Sequence, residues 1–228
     1  MLPRDHPYPW RMRRRSAIAC TSLIAFLATC TALGASLHHG QATFYAPSPL
    51  GACGRPQPTL HTAVSPADFG GSALCGAYLE VSRAGTSPVL VEVTNLCPEC
   101  PAGNLDLSPS AYDRLGARVA GRIPISWRIV EGPVSGPISI QIKDGSNPYW
   151  VAIQVRNHRY PIKTVEAKRG ARWLRLSRTD YGYFLASNGL GPGPFSLRIS
   201  DTRGHRIVEE GVRLTPGTTA AGRFQFPR

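Results

Sequence analysis

With 228 residues, a formal net charge of +12 and six cysteines, the chain has room for one large domain or two of about 100 residues each. No nucleic-acid-binding motif accompanies the positive charge, which leaves that class of partner without support. The first 36 residues hold five arginines against one aspartate, so the remainder has 21 basic and 13 acidic side chains, a balance of +8. A basic surface of this kind outside a cell suits acidic wall polymers such as pectin, teichoic acid or peptidoglycan, and serves plain solubility equally well.

The chain begins with Arg4, Arg11, Arg13, Arg14 and Arg15, followed by an uncharged run from Ala17 to Leu37. A basic start, an apolar middle and small residues after it predict a secretory signal peptide over residues 1–36. Ala32-Leu33-Gly34 fits the small-x-small cleavage rule, as does a cut after Ser36. The apolar run approaches the ~20 residues of a membrane span, but it carries Thr21, Ser22, Thr29, Thr31 and Ser36. A lipid anchor at Cys30 and a twin-arginine route at Arg13-Arg14 fit the flanking residues less well. Export leaves Cys53, Cys75, Cys97 and Cys100, an even number that argues for disulfides in an oxidising compartment. Three pairings remain open.

From Gly40 to about Val130, short β-type runs are predicted at Gln41–Tyr45, Ala77–Val81, Val89–Thr94 and Ile123–Val130, separated by Gly, Pro and Asn. Ser108 as N-cap and Pro109 in the first turn predict a short helix that Gly116 and Gly121 end. The turn-rich stretch from Glu131 to Pro137 reads as a linker, here placed at 132–137. Beyond it, Ile138, Ile140 and Ile142 alternate, and Val151, Ile153 and Val155 repeat the pattern after the turn Asp144-Gly145-Ser146-Asn147-Pro148. Further strands are expected at Trp173–Ser177, Phe195–Ser200 and near Arg223–Phe226, which together suggest a small β-sandwich over 138–228.

Two motifs bear on chemistry. The first is Gly40-Gln41-Ala42-Thr43-Phe44-Tyr45 followed by Gly51-Ala52-Cys53-Gly54. The second is Val93-Thr94-Asn95-Leu96-Cys97-Pro98-Glu99-Cys100 followed by Leu105-Asp106-Leu107-Ser108-Pro109. Asp106 could cap the helix, although Ser108 is better placed for that. Flanked by leucines, its carboxyl could also carry a raised pKa and line a groove.

Together the motifs resemble the double-psi β-barrel of expansins, a fold shared with family-45 endoglucanases. The second half resembles the expansin carbohydrate-binding domain, above all in Tyr149-Trp150-Val151-Ala152-Ile153-Gln154-Val155-Arg156-Asn157-His158. The resemblance covers roughly residues 38–228 and is greatest to bacterial expansins. It implies a mostly β chain: a six-stranded double-psi β-barrel over 37–131, then an immunoglobulin-like β-sandwich. It also implies that Thr43 and Asp106 line a shallow polysaccharide groove, with Asp106 the residue most needed for wall loosening. Relatives often place a second Asp and a Tyr where this chain has Asn95 and Cys97, so Asn95 is a modest ligand contact. The cysteines would pair as Cys53–Cys75 and Cys97–Cys100. Redox work by the C-x-x-C lacks a βαβ setting, and the cysteine spacing is not that of a zinc ribbon. No metal or cofactor is implied.

In the second half, parity places Trp150 outward if Val151, Ile153 and Val155 point inward, and Lys143 outward likewise. The resemblance makes Tyr149, Trp150 and Tyr181, with Lys143 nearby, a polysaccharide-binding platform. Trp127 and Phe195 are expected in the core, and Trp173 is taken as structural.

Inverting hydrolysis needs a second carboxylate ~6.5–9.5 Å from the first, and no acidic residue occurs between Gly40 and Ala67. The expectation is therefore a secreted, monomeric, non-hydrolytic wall-loosening protein. Its partners would be cellulose, hemicellulose-coated cellulose or peptidoglycan, with acidic polymers held by charge. A lytic enzyme of the barrel family, endoglucanase or peptidoglycan transglycosylase, is the alternative.

Overall fold

The computed structural model describes residues 36–228. The expected signal peptide thus lies outside the described residues but for its last position. No helix among the described residues is long and apolar enough to cross a membrane.

Six strands close a barrel: β1 (His38–Phe44), β2 (His61–Val64), β3 (Tyr78–Ser82), β4 (Val89–Leu96), β5 (Leu105–Leu107) and β6 (Ile123–Val130). Their order around it is β1-β5-β2-β4-β3-β6, with β1–β5 and β2–β4 parallel. Alternation decides which side chains fill it. Leu79, Val81, Val91, Val93, Leu105 and Leu107 are fully buried, each worth about 1.5–3 kcal/mol on the usual transfer scale. Because Leu105 and Leu107 point inward, Asp106 between them must point out. Trp127 is in the core as expected, its indole N–H donating to the Gly103 carbonyl at 2.8 Å and its face stacked on His38 at 3.9 Å. The Ser65-capped helix α1 (Pro66–Phe69) follows β2. At α2 (Pro109–Tyr112), Ser108 accepts the Ala111 N–H as a cap, and one turn suffices before the chain leaves at Gly116.

The second half forms two sheets around their own apolar core. One has the order β11-β12-β8-β7-β15, built from β7 (Ser139–Ile142), β8 (Val151–Arg156), β11 (Ser177–Arg178), β12 (Phe184–Ala186) and β15 (Thr219–Ala221). The other has the order β10-β9-β13-β14, from β9 (Ile162–Arg169), β10 (Arg172–Arg175), β13 (Phe195–Asp201) and β14 (Arg206–Val212). Mostly β, a closed barrel followed by a sandwich, is the expected class.

Three details differ from the sequence reading. The expected strand Trp173–Ser177 is two, β10 and β11, on different sheets, because the chain crosses over at the buried Leu176. The last strand is Thr219–Ala221, not Arg223–Phe226. The buried Glu209 carboxylate takes the backbone N–H groups of Arg223 and Phe224 at 2.9 Å, which removes them from a ladder. On β8, Ala152 and Gln154 are buried along with Val151, Ile153 and Val155. The outer face of this strand receives the barrel: Gln154 Nε2 donates to the Cys53 carbonyl at 2.7 Å and to that of Gly182 at 3.2 Å.

Candidate functional site

The outward face of the barrel holds a row straight across four neighbouring strands. Thr43 on β1 registers with Asp106 on β5, Asp106 with Ala63 on β2, and Ala63 with Asn95 on β4. Paired residues share a face, so the sequence-distant motifs meet there because of the barrel order. Thr43 Oγ1 donates to Asp106 Oδ1 at 2.6 Å. Half-burial is the strongest influence on Asp106 and raises its pKa above the usual carboxylate range. The Thr43 hydrogen bond opposes this, and Glu99 adds a weaker upward push. Asp106 thus holds its proton to higher pH than an exposed carboxyl does.

Asn95 stands in the row but is largely committed. Its Oδ1 accepts the N–H of Ala52 at 2.7 Å and of Leu96 at 3.0 Å, and its Nδ2 lies 3.4 Å from the Tyr45 hydroxyl. Tyr45 donates to Gln57 Oε1 at 2.6 Å, and burial, first among several influences, holds its pKa up. Tyr45 is an aromatic residue beside this row that the motif contains but its spacing does not single out. Glu99 was likewise passed over; it is exposed on the short loop closed by the Cys97–Cys100 disulfide. The second disulfide, Cys53–Cys75, lies where the barrel meets the sandwich.

The aromatic residues of the second half occupy two places. Tyr149 is 82% exposed at the tip of the turn between β7 and β8. Trp150, partly buried, closes that turn through paired backbone bonds with Asn147 at 2.8 and 3.0 Å. Lys143 leaves β7 beside it, its N–H bonded to the Ala152 carbonyl at 2.9 Å. Gly189, with φ +65°, supports the turn from below: a Cβ there would sit 2.0 Å from the Pro148 carbonyl oxygen. Tyr181 lies apart from these, toward the far end of β8, where its ring is 5.8 Å from Tyr183 and its carbonyl approaches Gly54 of the barrel. About four residues of β8, ~13 Å of strand, separate it from Trp150. Trp173, taken as structural, faces outward on the other sheet with the Arg198 guanidinium 4.6 Å above its ring. Among the described residues no His, Cys, Asp or Glu cluster could hold a metal ion.

Residues 38–127 match the family model described as lytic transglycolase. Expansin-YoaJ of Bacillus subtilis is 41% identical over 176 residues, 73% of this chain and 75% of that protein. Expansin-like protein 5 of Dictyostelium discoideum is 30% identical, over 78% of this chain and 81% of its own length. The apo expansin of Clavibacter michiganensis superposes with a TM-score of 0.79 at 35% identity, covering 85% of this chain and 99% of that one. An aspartate-to-asparagine variant of the same expansin, in complex with cellohexaose, also gives 0.79, at 34% identity.

Proposed function

Because the chain belongs to the expansin family, we propose that it is exported, binds cellulose-type wall polysaccharide and loosens it without cutting it. The observation that carries this reading is the groove row, in which Asp106 is hydrogen-bonded to Thr43 rather than opposed by a second acid. A paired hydroxyl and carboxyl can exchange hydrogen bonds with glucan hydroxyls, which is what separating two glucan chains requires. One carboxyl cannot be both the general acid and the base that inverting hydrolysis needs. Tyr149, Trp150 and Tyr181 add flat faces on which sugar rings stack, with Lys143 beside the first two. That a variant Clavibacter michiganensis expansin takes cellohexaose supports a β-linked glucan as the ligand class. The net positive charge suits acidic polymers as a second, weaker partner. We assign the groove to a barrel domain over 37–131 and the platform to a sandwich domain over 138–228.

The lytic reading has a specific basis: the barrel matches a transglycolase model, Glu99 acts electrostatically on Asp106, and a transglycosylase can work with one acid. One paired assay separates the two. The purified protein is pelleted with cellulose and with peptidoglycan, and the supernatant is tested for released sugars. Binding without product, together with weakened cellulose paper, is the expected result. Asp106→Asn should abolish weakening and leave pull-down unchanged. Product release that disappears in that variant would replace the loosening reading with a lytic one.

A further inference from the structure

His61 lies on β2 two residues before Ala63, hence on the same outward face as Asp106 and Thr43. It is 97% buried, at 3% exposure. Its Nδ1 is 2.5 Å from the Pro58 carbonyl oxygen. A carbonyl can only accept, so Nδ1 carries the proton and Nε2 is left as a bare acceptor. Burial, the largest influence on this ring, lowers its pKa, and the Pro58 hydrogen bond opposes it. Nε2 is buried and has no hydrogen-bond partner, an unfavourable state for a buried acceptor until a donor arrives. The Tyr45 ring meets the imidazole edge-on at 5.6 Å.

A cavity of about 430 Å³ opens beside His61, walled by Pro47, Pro49, Pro58 and Pro109. That volume falls within the ~300–1,000 Å³ of small-molecule sites. Proline rings fix their own backbone, so much of the wall is stiff. Gln57 borders the cavity and also accepts the Tyr45 hydroxyl, so the cavity adjoins the groove face. No charged side chain lines it. That composition selects against anionic and cationic ligands alike. The ring whose unmet acceptor asks for an O–H is part of the same lining.

We propose that this cavity is a further subsite of the barrel groove, which takes a neutral sugar residue whose hydroxyl donates to His61 Nε2 once the ring, closed over in the free protein, shifts to meet it. This rests on the polysaccharide reading above and adds a sugar position that neither the groove row nor the aromatic platform supplies. The test uses the full chain, labelled with ¹⁵N and titrated with cellohexaose, while the imidazole nitrogens are followed by long-range ¹H–¹⁵N spectra. The free protein should show the Nδ1–H tautomer, and the Nε2 signal should shift toward hydrogen-bonded values at saturation. His61→Phe, which keeps a ring but has no acceptor, should weaken cellohexaose about fivefold, the weight of one hydrogen bond. If cellohexaose saturates the protein while the His61 signals stay put, the subsite is overturned and the polysaccharide reading stands. A shift produced by trigalacturonate and not by cellohexaose would overturn the neutral-sugar assignment. Failure of cellohexaose to bind anywhere on the chain would sink both readings. The spectra are taken on the unaltered protein, so a poorly folding variant leaves the outcome intact.

Discussion

Asp106 is poised by neighbours that pull in opposite directions, and each can be removed separately. The Thr43 hydroxyl donates to the charged form and so lowers the pKa. Thr43→Val should therefore raise it further. Glu99 disfavours the charged form, so Glu99→Gln should lower it. Carboxyl ¹³C shifts followed against pH would read both, and movement in the reverse sense would refute the balance described here. Asp106 and Thr43 were legible in the sequence because they sit in motifs. Tyr45 was quoted within one of those motifs without a role, since its approach to Asn95 depends on β1 and β4 facing the same groove. His61 gave no signal at all. A histidine in His-Thr-Ala-Val looks like one polar residue in an apolar strand, and only the carbonyl at Pro58 and the cavity beside it give it meaning.

At the scale of elements, the turn that carries Tyr149 and Trp150 depends on the loop beneath it. Gly189→Ala would put a methyl group against the Pro148 carbonyl at a positive φ. The backbone penalty alone is about 1–3 kcal/mol, so melting temperature should fall and cellulose pull-down should weaken with it. Unchanged binding would mean that the turn is not the platform. Trp150→Ala should cost about 2 kcal/mol, roughly thirtyfold in Kd, if the indole is an anchor. Most barrel strands were visible as β-type runs, and β6 was placed to the residue at Ile123–Val130. β5, three residues long, is too short to show a period. The final strand was misplaced because Phe224 and Phe226 mimic alternation, whereas Glu209 captures the backbone there. Hydrophobic pattern reports burial, and a carboxylate that competes for backbone donors leaves no trace in it.

For the molecule as a whole, the contact between barrel and sandwich contains a sensor of acidity. His158 is fully buried there, so close to the barrel that a Cβ on Gly76 would lie 2.6 Å from its Nε2. Burial first, then nearby Arg55, lowers its pKa to about 4. The unfolded chain takes up this proton near pH 6.5, so the native state is favoured fully above that value. Stability should then fall as pH drops from 6.5 toward 4, by about 3 kcal/mol. Melting curves across this range should show the loss, and His158→Gln should flatten it; an equal slope in the variant would place the effect elsewhere.

The Gln154 side chain, gripping the Cys53 carbonyl on one side and that of Gly182 on the other, has a consequence for what the protein can measure. With the proposed groove and platform in one compact unit, two weak footholds would act as one strong grip only on a polymer that reaches both. Linked sites gain their avidity from geometry and lose it when a ligand cannot span them. A chain long enough to span both proposed sites gains from that joining, and a short fragment of the same chemistry does not.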